Sequence, residues 1–144
     1  MIYIPLPIVK TYIPVMKEFN YSESQGLPFI NENAYVVNSI SELPDDEIFG
    51  NEEFMNQDID FSQHSLIIFY GLQPGKILST QYRWRYNTYL ELYQVAIEYE
   101  VEKGSDIIDE ELELITFIRG ALLVDHIPAQ TFVSQSKGVH WIEP

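Results

Sequence analysis

Apolar residues recur along this chain mostly with the period of strands. Leu78, Thr80, Tyr82, Trp84 and Tyr86 alternate with Ser79, Gln81, Arg83, Arg85 and Asn87, which predicts a strand with one wet face. Ahead of it, Leu66, Ile67, Ile68, Phe69 and Tyr70 form an unbroken apolar run. That run is too short for an ordinary helix and is bounded by turn formers, so it predicts a strand buried on both faces, with which the rest of the chain pairs. Between the two, Pro74-Gly75 has the chemistry of a tight turn and is expected to reverse the chain. After a turn at Asn87-Thr88, residues 89–101 predict a second long strand in which Tyr93, Val95, Ile97, Tyr99 and Val101 share a face. Leu90 and Leu92 have the opposite parity and predict a bulge near Leu92.

A third apolar strand is expected over residues 114–124, broken at Arg119-Gly120, where glycine permits a bulge or a close backbone approach. The acidic stretch 102–113 before it reads as a loop. Thr131, Phe132 and Val133 predict a last short strand, and residues 134–138 lead into a tail.

The first 33 residues carry Pro5, Pro7, Pro14 and Pro28, four of the chain's eight prolines, which excludes long helices there. Ile2, Ile4, Leu6 and Ile8 alternate with Tyr3, Pro5, Pro7 and Val9, the pattern of an extended arm or edge strand; an arm exchanged with another molecule is the functional alternative. Residues 20–33 read as a polar connection, and Asn20-Tyr21-Ser22 as a chance match to the glycosylation tripeptide. A short strand at residues 34–38 runs into Ser39-Ile40-Ser41-Glu42, spaced as a capping box. A short helix or pair of helical turns is expected from about Ile40 to Met55, burying Leu43, Ile48, Phe49 and Phe54. The fold class is therefore α+β: one domain over residues 1–144, with a proline-rich arm and connection (1–33) and a β-rich core (34–144). The core is a mainly antiparallel twisted sheet with one short helical segment packed on it.

Composition sharpens this picture. With 144 residues, 46% hydrophobic and 14% aromatic, the chain has material for one core without staples. Its formal charge of −14, from 22 acids against eight bases, argues against nucleic acid or an anionic membrane as partner. There is no cysteine, so disulfides, zinc-thiolate sites and thiol nucleophiles are excluded. No apolar run approaches the ~20 residues of a spanning helix, and the start lacks the pattern of a signal peptide. The expected location is the cell envelope or periplasm if a leader was removed, and the cytoplasm if Met1 is the natural start.

Candidate chemistry is sparse. Asp45, Asp46, Glu47, Glu52 and Glu53 form a dense cluster without the order of a calcium loop and read as a solvated helix face. His64, His126 and His140 stand singly, and no phosphate loop, nucleophile elbow or dinucleotide fingerprint occurs, so no cofactor or metal is expected. Asp58 and Asp60, with His64, could serve as an acid and base, though capping the turn into the buried strand is the preferred reading. Tyr82, Trp84 and Tyr86 could stack a sugar, with Arg83 and Arg85 as carboxylate forks; core packing and cross-strand pairing are the preferred roles.

The order Tyr35-Val-Val-Asn-Ser-Ile-Ser-Glu-Leu43, an acidic helix, Asp60-Phe-Ser-Gln-His-Ser-Leu-Ile-Ile68 and long hairpins resembles a class of small exported lipoprotein domains of Bacteroidetes. More distantly, residues 34–124 are similar to the C-terminal domain of the PrcB family of protease-complex subunits. The resemblance implies an α+β fold, an envelope location and a protein-interaction role. The lipid-bearing cysteine of such lipoproteins is missing here, and Lys76 to Thr80 replaces the Gly-Tyr strand start of the protease-complex family, so no functional residue carries over. The expected function is non-enzymatic binding of another protein or a structural role in the envelope. The alternative is a glycan-binding domain or small hydrolase using Asp58, Asp60 or His64 beside the aromatic strand. Self-association through the arm or an open sheet edge is a third expectation.

Overall fold

The computed structural model describes residues 2–27, 32–102 and 113–143. Its elements in chain order are β1 (Tyr3–Pro5), β2 (Ile8–Thr11), β3 (Val15–Asn20), α1 (Tyr21–Ser24), β4 (Ala34–Val37), a 3-10 turn (Ile40–Glu42), α2 (Glu52–Met55), β5 (His64–Pro74), β6 (Lys76–Asn87), β7 (Leu92–Glu102), β8 (Leu114–Asp125) and β9 (Val133–Ile142). The fold is α+β, mostly antiparallel sheet with short helices packed on it. Strands β5 and β8 pair antiparallel from His64↔Asp125 to Pro74↔Ile115. Strand β4 flanks β5, while β2 and β3 succeed one another along the far edge of β8. The second sheet has the order β1-β6-β7-β9, and only its β7–β9 ladder is parallel.

The two sheets face each other because alternate residues of each are apolar. Ile67, Phe69, Ile118, Leu122 and Val124 of the first sheet meet Trp84, Val95, Ile97, Tyr99 and Val101 of the second. The reverse face of β5 and β8 is equally apolar: Leu66, Ile68, Tyr70 and Ala121, with Val37 of the neighbouring β4, pack beneath Tyr12 and Phe54, with Leu43, Phe49 and Phe61 around them. Residues 38–62 thus form a third, irregular layer, and β5 is buried on both faces as its sequence predicts. Each such side chain contributes about 1.5–3 kcal/mol by leaving water.

Several expectations are corrected. Pro74-Gly75 does not close a hairpin: Gly75 has φ +97, but the chain passes there from one sheet to the other, and no ladder joins β5 to β6 among the described residues. The register slip lies between Ile77 and Ser79 rather than near Leu92, so Ile77 enters the core and Leu78 is 48% exposed. Leu90 belongs to the β6–β7 turn, where Asn87 Oδ1 accepts from the amides of Tyr89 (3.0 Å) and Leu90 (2.9 Å). Strand β8 runs unbroken through Arg119-Gly120. Gly120 faces Phe69 across the ladder, and a Cβ there would lie 2.3 Å from the Phe69 ring, so the glycine serves a close approach. The tail is not a tail: β9 is ten residues long.

The expected arm is an edge, with β1 on β6 and β2 and β3 on β8. Ser39 makes no capping bond; Glu42 reaches back instead to the Asn38 amide at 2.8 Å. The capping box that forms is Asn20 with Glu23, which starts α1. The helical segment is a pair of single turns, of which Phe54 is fully buried. Pro28 and most of the acidic stretch 102–113 lie outside the described residues.

Arg119 holds the third layer to the sheet. Its side chain is 2% exposed, turned to the capped face of β8. It donates to Gly50 O (2.9 Å) and Asn51 Oδ1 (3.1 Å), pairs with Glu53, and lies 4.9 Å above the Phe54 ring. Burial lowers its pKa and nearby Asp46 opposes that shift. Asn51 also donates to Pro44 O (2.8 Å) and the Tyr70 hydroxyl (3.3 Å), while Asp46 Oδ1 accepts from the amides of Ile48 and Phe49, both at 2.9 Å. Of the cluster read as a solvated face, Asp46 and Glu53 are therefore exceptions, engaged with Arg119 or the loop around it.

Arg119→Ala is expected to cost about 1–3 kcal/mol in urea unfolding, because Gly50 O and Asn51 lose a buried donor and the third layer its anchor. Gly120→Ala is expected to cost about 1–3 kcal/mol by overpacking against Phe69. Combining it with Phe69→Leu should cost less than the sum of the two single changes, since both act on one contact.

Candidate functional site

Most edges of the two sheets are closed or blunted. Past Phe69, where β4 stops, β5 is satisfied largely by side chains: Gln135 Nε2 donates to Tyr70 O (3.0 Å), Lys137 Nζ to Leu72 O (3.3 Å), and the Leu72 amide to Glu32 Oε1 (2.9 Å). The inward-turned Gln135 and Lys137 also blunt β9, since a charge aimed inward from an edge strand opposes further pairing. Strand β4 has only four residues, and β2 and β3 are separated by a corner containing Pro14.

Strand β6 differs from the terminal strands β4 and β9 in being an interior strand of its sheet that is only partly covered. Strand β1 covers it only from Arg85 to Asn87, extended by Leu6 N to Trp84 O (2.9 Å) and Thr88 N to Ile2 O (2.8 Å). The chain then crosses at Pro7 to the other sheet. Residues 79–83 of β6 have no ladder partner on that side among the described residues. Trp84 and Thr88 show that even-numbered residues address this edge, so alternation leaves the N–H and C=O of Thr80 and Tyr82 facing outward. Opposite them stands the corner at residues 11–14, with Ile13 88% exposed. Between lies an open groove of about 450 Å³, walled by residues 11–14 and 80–83. Its chemistry is that of a strand-shaped slot: main-chain donors and acceptors along one wall, and an apolar corner along the other.

The structure spreads the residues singled out in the sequence. Trp84 is 4% exposed and stacks on Tyr93 with ring centroids 5.4 Å apart. Tyr82 packs edge-on against Phe69 at 4.9 Å, and its hydroxyl is buried without a hydrogen-bond partner; burial raises its pKa. Tyr86 lies against Tyr93 at 5.2 Å and borders a separate depression of about 500 Å³ beside Phe132. The three rings share a face, but that face is mostly closed by the other sheet. Arg85 donates to Gln94 (2.7 Å) and sits 3.7 Å above the Tyr3 ring, which fastens β1. Arg83 is exposed on the wall of the groove.

Asp60 Oδ1 accepts from the amide (3.0 Å) and hydroxyl (2.5 Å) of Ser62, and its carbonyl accepts from the His64 amide (2.9 Å). It therefore caps the turn into β5. Those Ser62 bonds hold its pKa below the ordinary aspartate value. Asp58 is exposed and His64 partly exposed. His140 pairs with Glu98 at 2.7 Å on the outer face of the second sheet, and His126 bonds through its amide to Gln63 O at 3.0 Å. Among the described residues no group of three His, Asp or Glu side chains is arranged to hold a metal ion, and no helix is long and apolar enough to cross a membrane. The residues that sequence reasoning missed are the groove's other wall, 11–14, for which Pro14 was a signal, and the open main chain of Thr80 and Tyr82, for which the sequence carries none.

A carboxylate with a lowered folded-state pKa contributes stability above its unfolded pKa and loses it as pH falls through the folded value. In an NMR titration Asp60 should accordingly protonate at lower pH than an unperturbed aspartate, and Ser62→Ala should move that midpoint upward. An unmoved midpoint would show that Ser62 is not the cause. No family model, no curated protein and no solved structure matches this chain.

Proposed function

We propose that this protein is a non-enzymatic protein-binding domain that takes up an extended segment of its partner as an added strand on β6. The observation that carries this reading is the unpaired main chain of residues 79–83 facing the groove walled by residues 11–14. Strand addition draws its affinity from main-chain hydrogen bonds and its selectivity from alternate side chains. At about 3.4 Å per residue, the open run offers roughly 17 Å, enough for a five-residue strand. On the resemblance of residues 34–124 to exported lipoprotein domains, the proposed place of action is the bacterial cell envelope.

Thr80→Pro tests the reading. It removes an outward-facing donor while leaving the bonds to β7, whose partners on β6 are the odd-numbered residues. Decapeptides selected from a displayed library by the wild-type protein should bind the variant at least tenfold more weakly, with the thermal midpoint shifted by only a few degrees. Equal binding by the two proteins would overturn strand addition at this edge.

A further inference from the structure

The two segments that build this groove differ in charge from the rest of the molecule. Residues 2–17 and 76–90 contain Lys10, Lys17, Lys76, Arg83 and Arg85, five of the chain's eight bases, and none of its 22 acids. In a chain of net charge −14, both segments that wall the groove are thus without carboxylate side chains. The fold brings the two segments together, since β1 pairs with β6 and residues 11–14 stand across the groove from residues 80–83.

Three of these bases are already occupied. Lys17 Nζ donates to Ile48 O, Lys10 Nζ lies 4.5 Å above the Tyr12 ring, and Arg85 is held by Gln94 and Tyr3. Arg83 is exposed on the groove wall and has no ion-pair partner among the described residues. The nearest acids of the same sheet are on β7: Glu98 lies across from Gln81 and is paired with His140, while Glu100 and Glu102 lie across from Ser79 and Lys76, at the end of β6 remote from Arg83.

From this segregation of charge, and resting on the strand-addition reading above, we infer that the segment received by β6 is acidic, with Asp or Glu at alternate positions. Side chains of an added strand alternate between two faces. Those on the face of Gln81, Arg83 and Arg85 meet the exposed guanidinium of Arg83 and take carboxylates. Those on the face of Thr80 and Tyr82 turn toward the groove and take small apolar groups. Attraction of this kind raises the encounter rate and selects against basic partners, and it weakens with salt because the charges are exposed.

The test uses three dye-labelled decapeptides in which Val alternates with Glu, Gln or Lys, titrated with the full chain by fluorescence anisotropy at low and high salt. The Glu peptide should bind at least tenfold more tightly than the Gln peptide at low salt and the Lys peptide most weakly, with the differences collapsing at high salt. Arg83→Glu should invert the order of the Glu and Lys peptides, and Thr80→Pro should weaken all three. A Glu peptide bound no more tightly than the Gln peptide, with Thr80→Pro still weakening both, would overturn the acidic partner and leave strand addition standing. Binding of the Glu peptide that survives Thr80→Pro would overturn both, as would failure of all three peptides to bind.

Discussion

The antiparallel pair of β5 and β8 is the constraint from which the architecture follows. Over eleven paired positions neither strand has a face of ordinary polarity, so each face must be covered by something else. A second sheet covers one, and a loop layer of residues 38–62 covers the other. The helical turns of that layer are too short to be stable alone, and they persist because Phe54 and its neighbours are buried against β5 and β8. The position of residues 8–20 follows from the same pair, since β2 and β3 close the remaining edge of β8.

The loop layer is fixed in register by a charge, not by apolar packing alone. Burying a guanidinium costs several kcal/mol unless its donors are met, and here a loop carbonyl, an amide side chain and a carboxylate meet those of Nη1 and Nη2, while Nε is buried without a partner. Apolar packing between a loop and a flat sheet tolerates sliding, whereas a fork with fixed partners does not. Arg119 thus specifies where the loop sits more than how tightly it binds. Tyr70 shares the arrangement through Asn51, and its burial, with Asp46 nearby, raises its pKa.

What the sequence made legible were the strands with a clear face. Trp84 between Arg83 and Arg85 announces β6, and the run from Leu66 to Tyr70 announces β5. Sheet membership was not legible, because a hairpin turn and a corner between sheets both want positive φ at a residue such as Gly75. Strand β9 was hidden because Gln135 and Lys137, which face inward, bond the carbonyls of β5 and so break the apolar pattern. Arg119 looked like an interruption of β8 for the same reason: a polar side chain with buried partners is indistinguishable, in one dimension, from a loop residue. The spacing of a capping box occurs at both Asn20 and Ser39, and only folding decides which is used. The candidate site was least legible, since unpaired main chain at Thr80 and Tyr82 is a property of topology and leaves no mark on residue type.

The parallel ladder of β7 with β9 carries a consequence for biosynthesis. A chain made from its amino end emits β9 last of the nine described strands, after the whole of β8 has been made. Until then β7, paired with β6 along one edge, leaves its other edge open on a strand rich in Val, Ile and Tyr, the kind of transient surface that chaperones recognise and that neighbouring polysomal chains can capture.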